Sequence, residues 1–175
     1  MSCVYVISDV HFGHKNICKK RPNFSNMEEH DQVILDNILS TVKKRDTLWM
    51  LGDTCFDRAK YDFIRKIRRA VDTLNYIPGN HDTDNKHRQE VYKDMVKEGL
   101  FKYTGSMFKY KKAWLTHPPI HPMELRGRIN IHGHTHSVLM PEPEFMNVCL
   151  EHTEYKPIAM QEVFRRYEEK TRGVE

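Results

Sequence analysis

An α/β fold with a second sheet in its C-terminal half is what the 175-residue sequence predicts, and three observations predict it. Apolar runs of strand length alternate with segments of helical periodicity as far as Gly99. Beyond Gly99 the segments read mainly as strands separated by Gly and Pro. Throughout, an Asp, Asn or His follows each of several strands at its carboxyl end, where open α/β sheets gather their binding residues.

Val4-Tyr5-Val6-Ile7 is β-branched and aromatic and reads as a buried strand that delivers Asp9 and His11. The segment from Phe12 to Phe24 lacks periodicity and reads as a loop. Ser25-Asn26-Met27-Glu28 has capping-box spacing, and Ile34, Leu35, Ile38, Leu39 and Val42 then recur at helical intervals. Thr47-Leu48-Trp49-Met50-Leu51 is a second strand, broken by Gly52 so that Asp53 sits at its end. From about Lys60 to Leu74, Phe63, Ile64, Ile67, Ala70 and Val71 share one helical face and the arginines lie largely on the other. Tyr76-Ile77-Pro78 is a short strand leading into Gly79-Asn80-His81-Asp82. Val91, Tyr92, Met95 and Val96 mark a further helix stopped by Gly99. In the second half, Leu100 to Tyr110, Lys112 to Thr116, Arg128 to Ile131 and Glu144 to Leu150 read as strands. A last helix carries Met160, Val163, Phe164 and Tyr167 at helical spacing. No repeat or linker divides the chain, and its length fits a single domain over 1–175.

Composition narrows the function classes. No apolar stretch approaches the ~20 residues of a membrane span, and Asp9 interrupts the N-terminal hydrophobic run before a signal peptide would be complete. Cys3, Cys18, Cys55 and Cys149 form no C-x-x-C pair and are too sparse for a disulfide framework. A reduced, cytoplasmic protein without a membrane partner is expected. The formal net charge of +4 favours an anionic substrate, but basic runs such as Lys43-Lys44-Arg45 read as solvated helix faces. Charge alone therefore leaves nucleic-acid binding open.

The chemistry is carried by His132-Gly133-His134-Thr135-His136, where His134 and His136, one residue apart on extended backbone, would project to the same side as a chelating pair. Asp9-Val10-His11 repeats that gap near the start. With Asp53, Asn80 and His117, the set offers only oxygen and nitrogen donors, and seven are too many for one tetrahedral ion. Two divalent ions are implied. Their charge of +4 against −2 from Asp9 and Asp53 leaves a surplus of about +2, which suits a phosphate.

In that order the blocks D-x-H, G-D, G-N-H-D, H and G-H-x-H resemble the calcineurin-like metallophosphoesterases over residues 9 to 136. The chain looks most like the compact bacterial and phage members. The run Asp9 to Ile17, together with Asn147-Val148 to Tyr155-Lys156-Pro157-Ile158, is similar to one subgroup of them. The resemblance implies a four-layer α/β/β/α sandwich with two facing mixed β-sheets and a dinuclear hydrolytic centre. It also implies that Asp9, His11 and His136 hold one metal, Asn80, His117 and His134 the other, and Asp53 bridges them. Manganese is the expected ion, with iron, zinc or nickel as alternatives. His81 is left free by that assignment. With Asp82 beside it to orient the ring, it is the candidate to protonate the leaving oxygen or steady the phosphoryl group.

His14 and His121 are candidate phosphate-pocket residues, against a reading as exposed loop histidines. Arg58 follows Asp53 at a spacing one residue off that of the phosphate-binding arginine in some family phosphatases, and takes no role. His30, His87 and His152 read as surface or packing residues. The function expected is hydrolysis of a nucleotide or other small phosphodiester, with phosphomonoester cleavage as the alternative. The larger DNA-end nucleases of the family carry domains this chain is too short to hold, although a small single-strand nuclease remains open. A scaffold that kept the fold and lost catalysis should show replaced ligands, and none is replaced. Oligomeric state is not legible from the sequence.

Overall fold

The computed structural model describes residues 2–172. Its first sheet is built from β1 (Val4–Ile7), β2 (Thr47–Met50), β3 (Thr73–Tyr76), β4 (Tyr103–Thr104) and β9 (Ile158–Ala159), in the order β4-β3-β2-β1-β9. β1 to β4 are parallel, and β9 runs antiparallel along β1. The second sheet has the order β5-β6-β7-β8, from β5 (Met107–Tyr110), β6 (Ala113–Thr116), β7 (Ile129–His132) and β8 (Phe145–Asn147). β6, β7 and β8 are parallel and β5 is antiparallel. Both sheets are thus mixed, as the α/β sandwich requires.

Alternation along the strands builds two cores. Ile7, Leu48, Met50, Leu74 and Tyr76 face the helices α1 (Met27–Thr41), α2 (Tyr61–Ala70) and α3 (Lys86–Lys97), which contribute Ile34, Ile38, Ile64, Ile67, Val91 and Met95. Val6, Trp49 and Leu51 point the other way and meet Ala113, Leu115, Ile129, Ile131 and Met146 of the second sheet. The last helix, α4 (Met160–Arg172), lies beside β1 and β9 and sends Met160 and Val163 into that inter-sheet core. The connection after β6 covers the outer side of the second sheet. There Trp114 Nε1 donates to the Leu125 carbonyl at 3.3 Å and Asn130 Oδ1 accepts from the Ile120 amide at 2.9 Å.

Several boundaries differ from expectation. Helix α2 ends at Ala70 instead of running to Leu74, because Thr73–Tyr76 pairs in register with β2; strand pairing overrides a helical spacing that happens to continue through Val71. The N-cap of α1 is Asn26, one residue later than expected. Its side chain accepts from the Glu29 amide at 2.8 Å, while the Glu29 carboxylate reaches back to the Ser25 amide at 2.7 Å. The range read as one strand from Leu100 to Tyr110 is split between the sheets, with β4 in the first and β5 in the second. No helix among the described residues is long and apolar enough to cross a membrane.

Candidate metal centre

The parallel registers bring the carboxyl ends of β1, β2, β3, β6 and β7 to one edge, and the seven expected ligand residues follow those ends. The chain leaves the strands sharply. Asp9, His11, Asp53, His134 and His136 have φ of 58°, 55°, 50°, 69° and 49°. Such left-handed positions are tolerated best by Asp, Asn and His, yet cost on the order of 1–3 kcal/mol each. Five strained residues at one edge mark a site that the surrounding fold holds in place.

This geometry corrects the reading of His134 and His136 as a chelating pair on extended backbone. The strand ends at His132, and the two left-handed residues send their rings to opposite sides of the centre. His136 Nε2 lies 3.8 Å from Asp9 Oδ1, whereas His134 Nδ1 lies 2.9 Å from Asn80 Oδ1 and 3.2 Å from His117 Nε2. His117 Nε2 is also 3.0 Å from Asn80 Oδ1. Between these groups stands Asp53, whose Oδ2 is 3.5 Å from His117 Nε2 and 4.0 Å from His11 Nε2. Potential ligand atoms of Asp9, His11 and His136 all lie within 4.8 Å of one another, and so do those of Asp9, Asp53 and His117.

The donor set fits divalent cations on the evidence of its buried atoms. Asp9 Oδ1 and His11 Nε2 are buried and neither has a hydrogen-bond partner, although they face each other at 3.5 Å. A buried carboxylate oxygen and imidazole nitrogen left so are costly unless a cation stands between them. The other oxygen of Asp9 is fully engaged, accepting from Ser8 Oγ at 2.5 Å, the His134 amide at 2.8 Å and Cys149 Sγ at 3.2 Å. Gly133 makes that possible, because a Cβ there would lie 1.8 Å from Ser8 Oγ and 2.3 Å from Asp9 Oδ2. Gly79 does the same for Asp53, whose Oδ1 a Cβ would meet at 2.1 Å.

Electrostatics agree. Burial works against charge on His117, but the Asp53 and Asp9 carboxylates outweigh it and push the imidazole up to about 9. Its Nδ1 is fixed by the Leu51 carbonyl at 2.7 Å, so the proton that would be lost is the one on Nε2, toward Asp53. Burial likewise works against the Asp9 carboxylate, yet its contacts with His11 and Ser8 and the charge of His117 hold its carboxyl well below the usual range. Burial pushes His11 down to about 4, leaving a neutral ligand. A centre that keeps a proton on an imidazole at neutral pH is short of positive charge, and a metal ion would displace that proton.

His81 stands beside this set, its amide donating to Asp53 Oδ1 at 2.9 Å and its side chain 41% exposed, so solvent reaches the ring. The expectation that Asp82 orients that ring is corrected. The Asp82 carboxylate is buried and accepts from the amides of Gly79, Asp53 and Thr54 at 2.7, 2.8 and 3.2 Å, tying two site loops together. The ring is held by Asp84, whose Oδ2 is 2.9 Å from His81 Nδ1. Adjacent residues of a turn point apart, so the neighbour in sequence is not the neighbour in space. His14 lies at the rim, its Nδ1 3.2 Å from His11 Nδ1 and its ring stacked on Phe56 at 4.7 Å. His121 is exposed and caps its own turn, accepting from the Met123 amide at 3.3 Å. Arg58 is turned away to Asp94, at 2.6 Å.

A buried chain behind the centre escaped sequence reading. Glu151 Oε1 accepts from His136 Nδ1 at 3.0 Å and from Arg21 Nε at 2.9 Å. Arg21 is fully buried and also donates to the Asp9 carbonyl at 2.7 Å. Its Nη1 meets His30 Nε2 at 2.9 Å, His30 Nδ1 meets Asp31 Oδ1 at 2.9 Å, and Lys60 closes the chain on Asp31 at 3.2 Å. His30 is therefore a packing residue whose two nitrogens are both used, with burial holding it neutral. His87 is exposed, and His152 Nε2 reaches the His136 carbonyl at 2.8 Å.

Comparisons with known proteins follow the same line. A family model described as the calcineurin-like phosphoesterase superfamily domain matches residues 3–149. An uncharacterized protein of Methanocaldococcus jannaschii is 31% identical over 96% of this chain and 93% of its own length. The gene 66 protein of Mycobacterium phage L5 is 30% identical over 80% of each chain. Among solved structures, a protein of unknown function from Aquifex aeolicus superimposes with a TM-score of 0.71 at 27% identity, covering 94% of this chain and 99% of that one.

Proposed function

The chain belongs to the calcineurin-like phosphoesterase superfamily, which supports metal-dependent phosphoester hydrolysis in general, and from that premise we propose a dinuclear phosphoesterase acting on a nucleotide or other small phosphodiester. The observation that carries the dinuclear reading is Asp53, with one carboxylate oxygen facing both His117 and His11. Under this reading Asp9, His11 and His136 hold one ion and Asn80, His117 and His134 the other, with Asp53 between. Bound there, two divalent ions supply an activated water and the positive charge that an in-line displacement at phosphorus requires. Four imidazoles in the set suit manganese or another transition metal better than magnesium, which holds its waters.

The chain's own residues do the rest. Two hydrogen bonds fix Asp53: its amide donates to the Asp82 carboxylate, and its Oδ1 accepts from the His81 amide. His81, with Nδ1 held by Asp84, keeps Nε2 for the substrate and delivers a proton to the leaving oxygen. Asp84 fixes the direction of the ring for that transfer.

Manganese-loaded protein assayed against linear dinucleotides, cyclic nucleotides and phosphomonoesters tests this reading. Turnover is expected on a diester, absent after chelation and restored by manganese. His81→Ala should keep both metals and lose about 10²–10⁴-fold on an alkyl or ribose ester, but much less on a p-nitrophenyl ester, whose phenolate needs no proton. Activity that survives complete metal removal would overturn the proposal, and preference for monoesters would correct its substrate class.

A further inference from the structure

Placing the proton donor at His81 fixes the side of the centre on which the departing group lies. A donor must stand about 2.6–3.2 Å from the oxygen it protonates, so the leaving group passes close to His81. A cleft of about 460 Å³ between residues 13–16, Phe56–Asp57 and the first turn of α3 adjoins His81 through Arg88.

Arg88 connects this cleft to the centre. Its guanidinium lies over the Phe56 ring, 4.1 Å from the centroid. Nη1 is 2.7 Å from Asp84 Oδ2 and 3.2 Å from His81 Nδ1. Nε and Nη2 make no hydrogen bond among the described residues, so one edge of the fork remains free. Lys15, exposed at the rim, has no ion pair among the described residues. Asp57, the carboxylate that lines the cleft, is occupied in accepting from the Ala59 amide at 2.9 Å. The next groove along is also basic, but its arginines are matched: Arg58 pairs with Asp94 at 2.6 Å and Arg65 with Glu98 at 2.8 Å. Arg65 spends its Nε and Nη2 edge on Glu98, whereas Arg88 pairs with Asp84 through Nη1 alone, so the cleft beside His81 offers an open guanidinium edge and the unpaired Lys15.

We propose that this cleft is a leaving-group subsite that takes a second phosphate, carried by the alcohol that departs, with the free edge of Arg88 as its anchor and Lys15 at its mouth. A planar guanidinium offers two parallel N–H donors that match phosphate oxygens, which a point charge does not. The substrate class becomes a phosphoester whose leaving alcohol is itself phosphorylated. The orientation rests on the hydrolase reading above, so the test is made without turnover.

Manganese-loaded protein is titrated calorimetrically with alkane-α,ω-bisphosphonates of two to six carbons and with the matching alkylphosphonates. At least one length should bind roughly 10–100-fold tighter than its monophosphonate, the scale of hydrogen bonding to a charged group. Arg88→Met should remove most of that gain. A gain that is absent at every length, or that survives Arg88→Met because the second phosphonate merely chelates metal, overturns the subsite. If Arg88→Met does not fold, Lys15→Met decides: a gain cut by about threefold, the scale of one exposed ion pair, supports the proposal, and an unchanged gain overturns it. Failure of the hydrolase reading would appear separately, as absent turnover with the binding gain intact.

Discussion

The two halves of the proposed metal centre are braced in different ways. On the Asp9 side, the carboxylate and His11 are almost fully buried, and His136 is backed by Glu151, Arg21, His30 and Asp31 in an unbroken line of hydrogen bonds. On the other side, only His117 is buried; Asn80 and His134 are exposed, and among the described residues the His134 ring finds no partner beyond Asn80 and His117. One half brings a carboxylate and a charged brace, the other an amide and two rings with no charged group behind them. Ligand charge and rigidity both raise metal affinity, so the Asp9 half should hold its ion more tightly and surrender it last to a chelator.

The largest expected effect removes the element the halves share. Asp53→Asn takes charge from both sites and loosens what fixes their separation, so both affinities should fall and activity with them. The loss should exceed the roughly 10–100-fold that follows removal of a residue behind a ligand. Elemental analysis and turnover measured together decide it. A variant with two tightly bound metals and near-normal rate would show that Asp53 does not bridge, and the division into halves would lose its hinge.

The candidate ligands stand out in sequence because each follows a strand end, and five of the seven leave it at positive φ, where Asp and His are tolerated. The brace does not. Arg21 and Glu151 stand 130 positions apart, and no periodicity or spacing links residues that only the closing of the chain over the sheet edge brings together. His30 showed a helical position and nothing of its neighbours. The Asp84 contact with His81 was misassigned to Asp82 because adjacency along a turn says little about direction. The boundary of β3 was misplaced for a related reason: a four-residue strand beside a helix is decided by pairing with β2, which a single sequence does not display.

A smaller effect sharpens the comparison from the braced side. Glu151 is held charged mainly against its burial, by His136 and Arg21, which bring its carboxyl down to about 2. Glu151→Gln keeps the shape but removes the charge behind His136 and leaves Arg21 buried without its counter-ion. Metal affinity should drop about 10–100-fold at the Asp9 half alone, so that a chelator titration changes from two separated steps to two overlapping ones. Equal weakening of both steps would mean that the chain of contacts stabilises the fold generally and braces no particular ligand.

The least expected change works from the other half. Asn80 Oδ1 sits 3.0 Å from His117 Nε2 and 2.9 Å from His134 Nδ1, at an exposed position where no brace has to be rebuilt. Asn80→Asp gives this half the carboxylate that Asp9 gives its counterpart, without altering the length of the side chain. The second ion should then bind more tightly, on the order of tenfold, since affinity follows the number of charged ligands but part of the gain is screened where water reaches the site. The first step of the chelator titration should move toward the second, while the second stays in place. The rate need not rise with it, because the added negative charge also opposes an anionic phosphate. If neither step moved, ligand charge would be unimportant here, and the asymmetry of the centre would have to come from burial and bracing alone.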